Sequence, residues 1–215
     1  MAIILFMHIN ELEKRILEIS YKNKLSHLSS NLTAVNIINE IYSIKENTNP
    51  FILSSGHAGL ALYVVLEKYY GIDAEELHKK HGVHPNRDLK DKIFYSTGSL
   101  GCGLPAAVGM ALANRKNKVY CLISDGEIFE GSIYESFNII VKERVDNIEV
   151  FLNLNGCSAL SVLDKDRICN IAKILLPNIK IRQTSSIYEK FPLLNGVQGH
   201  YRVLSEVDFK EIKNA

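Results

Sequence analysis

The stretch KVYCLISDGEIFEGSIYESFNIIVKERVDNIEVFLNLNG, residues 118–156, decides the fold. Its two ends, KVYCLIS at 118–124 and NIEVFLNL at 147–154, are β-rich runs of nearly continuous apolar character, which is how strands covered on both faces read. Between them Ile133, Phe137, Ile140 and Val141 mark one face of a helix. A strand, helix and strand of this length predict two parallel strands joined by a crossover. The expected fold class is therefore α/β, a parallel sheet with helices on both faces.

The same alternation continues outward. Leu12, Ile16, Leu17 and Ile19 predict a first amphipathic helix, and Ala34, Ile37, Ile38 and Ile41 a second that starts near Thr33. HAGLALYVVLEKYY at 57–70 reads as a buried helix ended by Gly71, IFYS at 93–96 as a short strand, and PAAVGMALAN as a buried helix with Pro105 in its first turn. A helix at 165–174, a strand at 177–183 and a loop-like tail ending in a helix near SEVDFKEIKN complete the chain. No repeat or flexible linker divides residues 1–215, so a single domain is expected.

Composition narrows the function classes. Lys plus Arg number 25 against 24 Asp plus Glu, which lacks the basic excess of a nucleic-acid binder, and 47% hydrophobic residues argue against disorder. Cys102, Cys121, Cys157 and Cys169 form no CxxC pair and sit among apolar neighbours, predicting free thiols in a reducing compartment and a cytoplasmic protein. The opening AIILFM lacks a basic flank and soon gives way to ELEKR, so it reads as neither signal peptide nor membrane span.

Asp125 ends one predicted strand and Asn155 the next. In an open α/β sheet the ligand crevice lies outside the carboxyl ends of the strands, so both side chains face one crevice. A carboxylate, a carboxamide oxygen and a nearby carbonyl form a hard oxygen set suited to magnesium or calcium, with phosphate filling the remaining positions. Gly126 and Gly156 allow close backbone approach, and the helix beginning near Gly131 offers its positive end to an anion. Asp-Gly and Asn-Gly also fit plain turns. A different reading takes Gly101-x-Gly103-x-x-Ala106, between a strand and a helix and followed by Asp125, as the fingerprint of an NAD-dependent oxidoreductase.

Four histidines, His27 in LSHLSSNL, His57 in LSSGHAGLALY, His84 in HGVHPNRD and His200 in QGHYRVLS, sit in predicted loops or helix starts. Singly, each fits a structural hydrogen-bonder. Together with the strand-end pair they resemble a family: LSSGHAGLALY, HP, STGSLGCGLPAAVGMALA and SDGEIFEG through NLNG fall in the order and spacing of the thiamine-diphosphate-binding part of transketolases. The resemblance runs from about residue 15 to the end.

It implies a thiamine-diphosphate-binding fold, slightly shortened, with thiamine diphosphate and Mg2+, or Ca2+ or Mn2+, as cofactors. Asp125 and Asn155 match side-chain ligands of the divalent ion, and Cys157 matches the residue giving a backbone carbonyl. Gly98, Ser99, Leu100 and Gly101 match the loop that meets the cofactor ring region, while Gly126 with Glu127, and Asn155, match contacts to the diphosphate end. His27, His57, His84 and His200 match histidines that line the substrate channel, bind sugar hydroxyls and move protons, work suited to a group titrating near neutrality. Glu130, counted with the catalytic set, and Glu135 match carboxylates that couple paired sites at a subunit interface; acids at a helix start equally suit the helix dipole.

The implied activity is transfer of a two-carbon ketol unit between sugars or sugar phosphates. The half of the family's site that carries the pyrimidine-binding domain has no counterpart in this sequence, so the resemblance implies a separate C-terminal subunit, the two forming a dimer of such pairs, with no nucleic acid or membrane partner. A non-catalytic relative keeping the fold as a partner protein is the other outcome. Departures are Cys102 for a common glutamine, Ser124 for a glycine, Asn153 for an aspartate, and Ser26, Ser29 and Ser30 around His27 where glycines are usual. After Cys157 about one strand-and-helix unit is missing, which predicts a small sheet with an edge that needs cover.

Overall fold

The computed structural model describes residues 9–214, so the opening AIILFM lies outside the described residues. Helix α1 spans Glu11–Asn23 and starts on a reciprocal cap, the Asn10 side chain accepting from the Glu13 N–H and the Glu13 carboxylate from the Asn10 N–H. Its inward face is Ile16, Leu17 and Ile19, as the spacing predicts. Helix α2 spans Leu28–Ile44 and begins five residues before the expected start. Thr33 therefore lies inside α2, where its hydroxyl donates to the Ser30 carbonyl at 3.1 Å and accepts from Asn153 Nδ2 at 3.0 Å.

The first strand is β1, Phe51–Leu53, a three-residue run too short to show a period. Helices α3 (Gly59–Tyr70), α4 (Ala74–His81) and α5 (Gly103–Ala113) follow before β2 (Val119–Ser124), then α6 (Gly131–Lys142) and β3 (Ile148–Leu154), then α7 (Lys165–Leu175) and β4 (Lys180–Gln183). The expected strand at 93–96 is absent from the sheet; its only ladder-like feature is an isolated antiparallel bridge between Asp88 and Ile93. The tail is more helical than expected, with α8 (Ile187–Lys190), α9 (Gly196–His200) and α10 (Glu206–Asn214).

The four strands pair in sequence order, all parallel. Strand parity then divides the core. Phe51, Leu53, Tyr120, Leu122 and Phe151 join the cluster under α1, α2 and α3, while Ile52, Cys121, Ile123, Val150, Leu152 and Leu154 join the one under α5, α6 and α7. Both faces are covered, which explains the continuous apolar runs. Only α7 connects β3 to β4, consistent with the missing unit, and the resulting edge is blunted by charge: Lys180 pairs with Glu149, and Arg182 Nε reaches Glu40 at 2.8 Å. Among the described residues no helix is long and apolar enough to cross a membrane. The four cysteines are free.

The register sets the strand ends side by side. Ser124 pairs with Asn153, so Asp125 and Asn155 leave adjacent strands at the same edge of the sheet. Helix α5 starts against the end of β1, and a Cβ on Gly103 would stand 2.5 Å from Ser54 Cα. Backbone, not a yielding side chain, limits that approach. Gly103→Ala should therefore lower the unfolding free energy by about 1–3 kcal/mol, the usual cost of overpacking. A urea midpoint equal to that of the wild type would show that α5 has room to retreat.

Candidate functional site

A cleft of about 190 Å³ opens at the carboxyl ends of β2 and β3. The strand-end residues form one pole of it. Asp125 is 1% exposed, and its carboxylate accepts from the N–H of Gly126 at 2.9 Å and of Gly156 at 2.6 Å. Burial pushes this carboxyl up to about 6 against the pull of those N–H groups. Asn155 Oδ1 accepts from the Cys157 N–H at 2.7 Å, and Gly156, at φ +85°, makes the turn that brings both N–H groups round. Gly126, Asn155 and Cys157 line the cleft with Asp125.

The histidines form the other pole. Ring centroids of His27 and His57 lie 5.8 Å apart, His27 and His200 4.8 Å, and His57 and His200 5.6 Å. His84 joins them on the cleft wall, its ring against the backbone of Gly98. His200 arrives on the tail helix α9 and is held by a hydrogen bond from the His27 N–H to its carbonyl, 3.0 Å. Burial, reinforced by the neighbouring imidazoles, drives His57 down to about 3 and His200 to about 4, and lowers His27 as well. At neutral pH these three rings are uncharged, each offering one N–H and one lone pair. Titration near neutrality, expected of the free side chain, is displaced by the setting.

The glycine loop is divided. Gly98 and Leu100 line the cleft; Ser99 and Gly101 do not. Gly101, at φ +75°, donates its N–H to Glu127 at 2.9 Å. Glu127 is fully buried and its side chain stays out of the cleft, against the expectation of a cofactor contact. One of its oxygens takes Gly101 N–H and the Ser54 hydroxyl, the other the N–H and hydroxyl of Ser124. Glu130 also stands outside, half-buried at the start of α6 beside Gly101, and Glu135 is exposed. The cleft further contains Ser30 and Asn153, noted in the sequence only as departures from the family pattern, and Ser158 and Tyr201, which the residue pattern did not single out.

The dinucleotide reading fails here on two counts. No sheet strand leads directly into the glycines, since α3 and α4 separate them from β1, and the Gly101 N–H is turned to a buried carboxylate and not to an open anion site.

A family model described as "Transketolase, thiamine diphosphate binding domain" matches residues 39–164. The chain belongs to this family. The matched span holds the strand-end pole with His57 and His84, and leaves His27 and His200 to either side. Among curated relatives, the chain is 34% identical over 162 residues to an apulose-4-phosphate transketolase subunit of Phocaeicola vulgatus, covering 66% of this chain and 57% of the relative. It is 31% identical over 166 residues to a 6-deoxy-6-sulfo-D-fructose transketolase subunit from a Clostridium species, covering 68% and 60%. The chain thus spans somewhat over half the length of these relatives. The transketolase of Campylobacter jejuni superposes with a TM-score of 0.71 at 20% identity, over 97% of this chain and 43% of that one, which supports the thiamine-diphosphate-binding fold.

Two outcomes test this geometry. Each oxygen of Glu127 accepts a backbone N–H, so either orientation of an amide in Glu127→Gln sets an NH2 group against a donor; the variant should lose about 2–4 kcal/mol in denaturant melts despite its equal size. Unchanged stability would remove the clamp. For the histidines, the unfolded rings titrate near 6.5 and the folded His57 and His200 near 3 and 4, so the unfolded chain binds protons first as pH falls. Their contribution is intact above about pH 6.5 and should shrink by on the order of 1–2 kcal/mol per ring at pH 5. Asp125 acts with the opposite sign in part of that window, so the readout is the difference between wild type and His57→Gln, whose stability should depend less on pH.

Proposed function

We propose that residues 1–215 form one thiamine-diphosphate domain acting as the N-terminal subunit of a two-chain transketolase-like enzyme, which moves a two-carbon ketol unit from a ketose to an aldose. The observation that carries this reading is the two-pole cleft: a buried oxygen set at one end and clustered neutral imidazoles at the other.

The residues fit the cofactor. Asp125 is a desolvated carboxylate whose hydrogen bonds come from backbone N–H groups, a charge that a divalent cation would offset. The Asp125 and Asn155 side chains and the Cys157 carbonyl would hold Mg2+, with Ca2+ or Mn2+ sharing the same preference for oxygen. Gly126 would meet the diphosphate, and Gly98 and Leu100 the ring region, on a loop shaped by Ser99 and Gly101. When bound, the cofactor supplies the electron sink needed to break a carbon-carbon bond beside a carbonyl.

The chain's own part is positioning and proton handling. His27, His57, His84 and His200 would bind the hydroxyls of an extended sugar and handle a proton at its carbonyl oxygen, the work of imidazoles that carry an N–H donor and a lone pair. Clustering lets two rings reach one substrate atom pair without reorganisation. Glu130 and Glu135, outside the cleft, are assigned to a subunit interface at α6.

The names of the relatives as transketolase subunits support a separate C-terminal partner, which in this reading brings the pyrimidine-binding domain and assembles as a dimer of pairs. The free thiols favour a reducing, cytoplasmic setting. Calorimetric titration of thiamine diphosphate into the chain with its partner should give binding that requires magnesium and is lost, by a hundredfold or more in affinity, in Asp125→Ala, roughly 3 kcal/mol. Binding indifferent to magnesium would sink the assignment of the strand-end pole. Cofactor binding without ketol transfer would instead favour a non-catalytic partner protein.

A further inference from the structure

The histidine pole ends in an aromatic ring. Tyr201 directly follows α9 and stands edge-on to His200, with ring centroids 4.8 Å apart at 80°, and 5.8 Å from His27 at 69°. It lines the cleft while remaining 56% exposed, so the ring stands on the rim with part of its surface held by the imidazoles. Its backbone has little freedom. The His200 carbonyl accepts the His27 N–H, and a Cβ on Gly199 would lie 2.1 Å from the Leu194 carbonyl oxygen, so the chain entering Tyr201 is wedged from two sides.

A rigid ring with two side-chain torsions makes a firm wall at small entropic cost. A carbon chain running outward past His27 and His200 would meet it. The next residue, Arg202, pairs with Asp208 at 2.7 Å and does not line the cleft, so the wall at this rim is the Tyr201 ring.

We propose that Tyr201 is a specificity-determining residue that limits the length of the aldehyde acceptor; the assignment rests on the transketolase-like reading of the cleft. Short aldehydes fit between the histidines and the ring. Longer ones must displace the ring or lose hydration of a hydroxyl against its face.

The test uses the chain with its partner, thiamine diphosphate, magnesium and one fixed ketose donor, against unphosphorylated aldehydes of two, three, four and five carbons. Tyr201→Ala should raise kcat/KM for the five-carbon relative to the two-carbon acceptor by roughly three- to tenfold, as expected for a few rim contacts. Tyr201→Phe should keep the wild-type ratio, since the ring makes the wall. A ratio unchanged in Tyr201→Ala, from a pair that binds the cofactor and turns over, overturns the Tyr201 assignment alone. A wild-type pair that does not bind thiamine diphosphate overturns the assignment together with the reading beneath it.

Discussion

A carboxylate that never meets solvent holds the cleft in shape. Glu127 gathers the end of β1 through Ser54, the glycine loop through Gly101 and the end of β2 through Ser124. Each of these leads to a wall of the site: Ser54 to His57, Gly101 to Gly98 and Leu100, Ser124 to Asp125. Burying a carboxyl is costly, and burial raises this one above its usual range while the donors pull it back. The cost is tolerable because four donors from three segments converge on two oxygens. Loss of any segment would leave a buried acceptor unmet, so the loops around the cleft are coupled through one side chain.

Above that clamp, desolvation acts on both poles in the same sense. It raises Asp125 and lowers His57 and His200, pushing each of these groups toward its neutral form. Such a cavity is poorly matched to its own charges and better matched to a ligand that brings a cation to one end and hydroxyls to the other. The backbone completes the preparation. N–H groups at Gly126, Gly156 and Cys157 orient the two strand-end side chains before any ligand arrives, reducing the reorganisation that binding requires.

The tail supplies what the shortened sheet does not. Tyr21 and Phe209 stack at 4.2 Å, tying α10 to α1, and a buried ion pair joins Lys190 of α8 to Glu13 of α1. Between these anchors α9 carries His200 to His27. A segment that reads as loop from its sequence is thus fixed by contacts with the opposite end of the chain. Sequence periodicity could not register this, because α8 and α9 span only four and five residues.

The sequence by itself determined the β2, α6, β3 unit, since apolar runs buried on both faces and a helix of period 3.6 have one economical arrangement. That unit carried Asp125 and Asn155 to neighbouring strand ends, and the motif order carried the family. Tertiary structure alone decided which nearby polar groups face the cleft. Asp125 and Glu127 are two residues apart and both carry carboxyl groups, yet one lines the cleft and the other is consumed beneath it, because the turn after β2 rotates them to opposite sides. Likewise β1 is too short for a pattern, and 93–96, with a strand's composition, found no partner strand. Composition states what a segment can form; pairing and burial depend on residues far away in the chain, and those long-range contacts set the strand order, the place of Glu127 and the meeting of His27, His57 and His200.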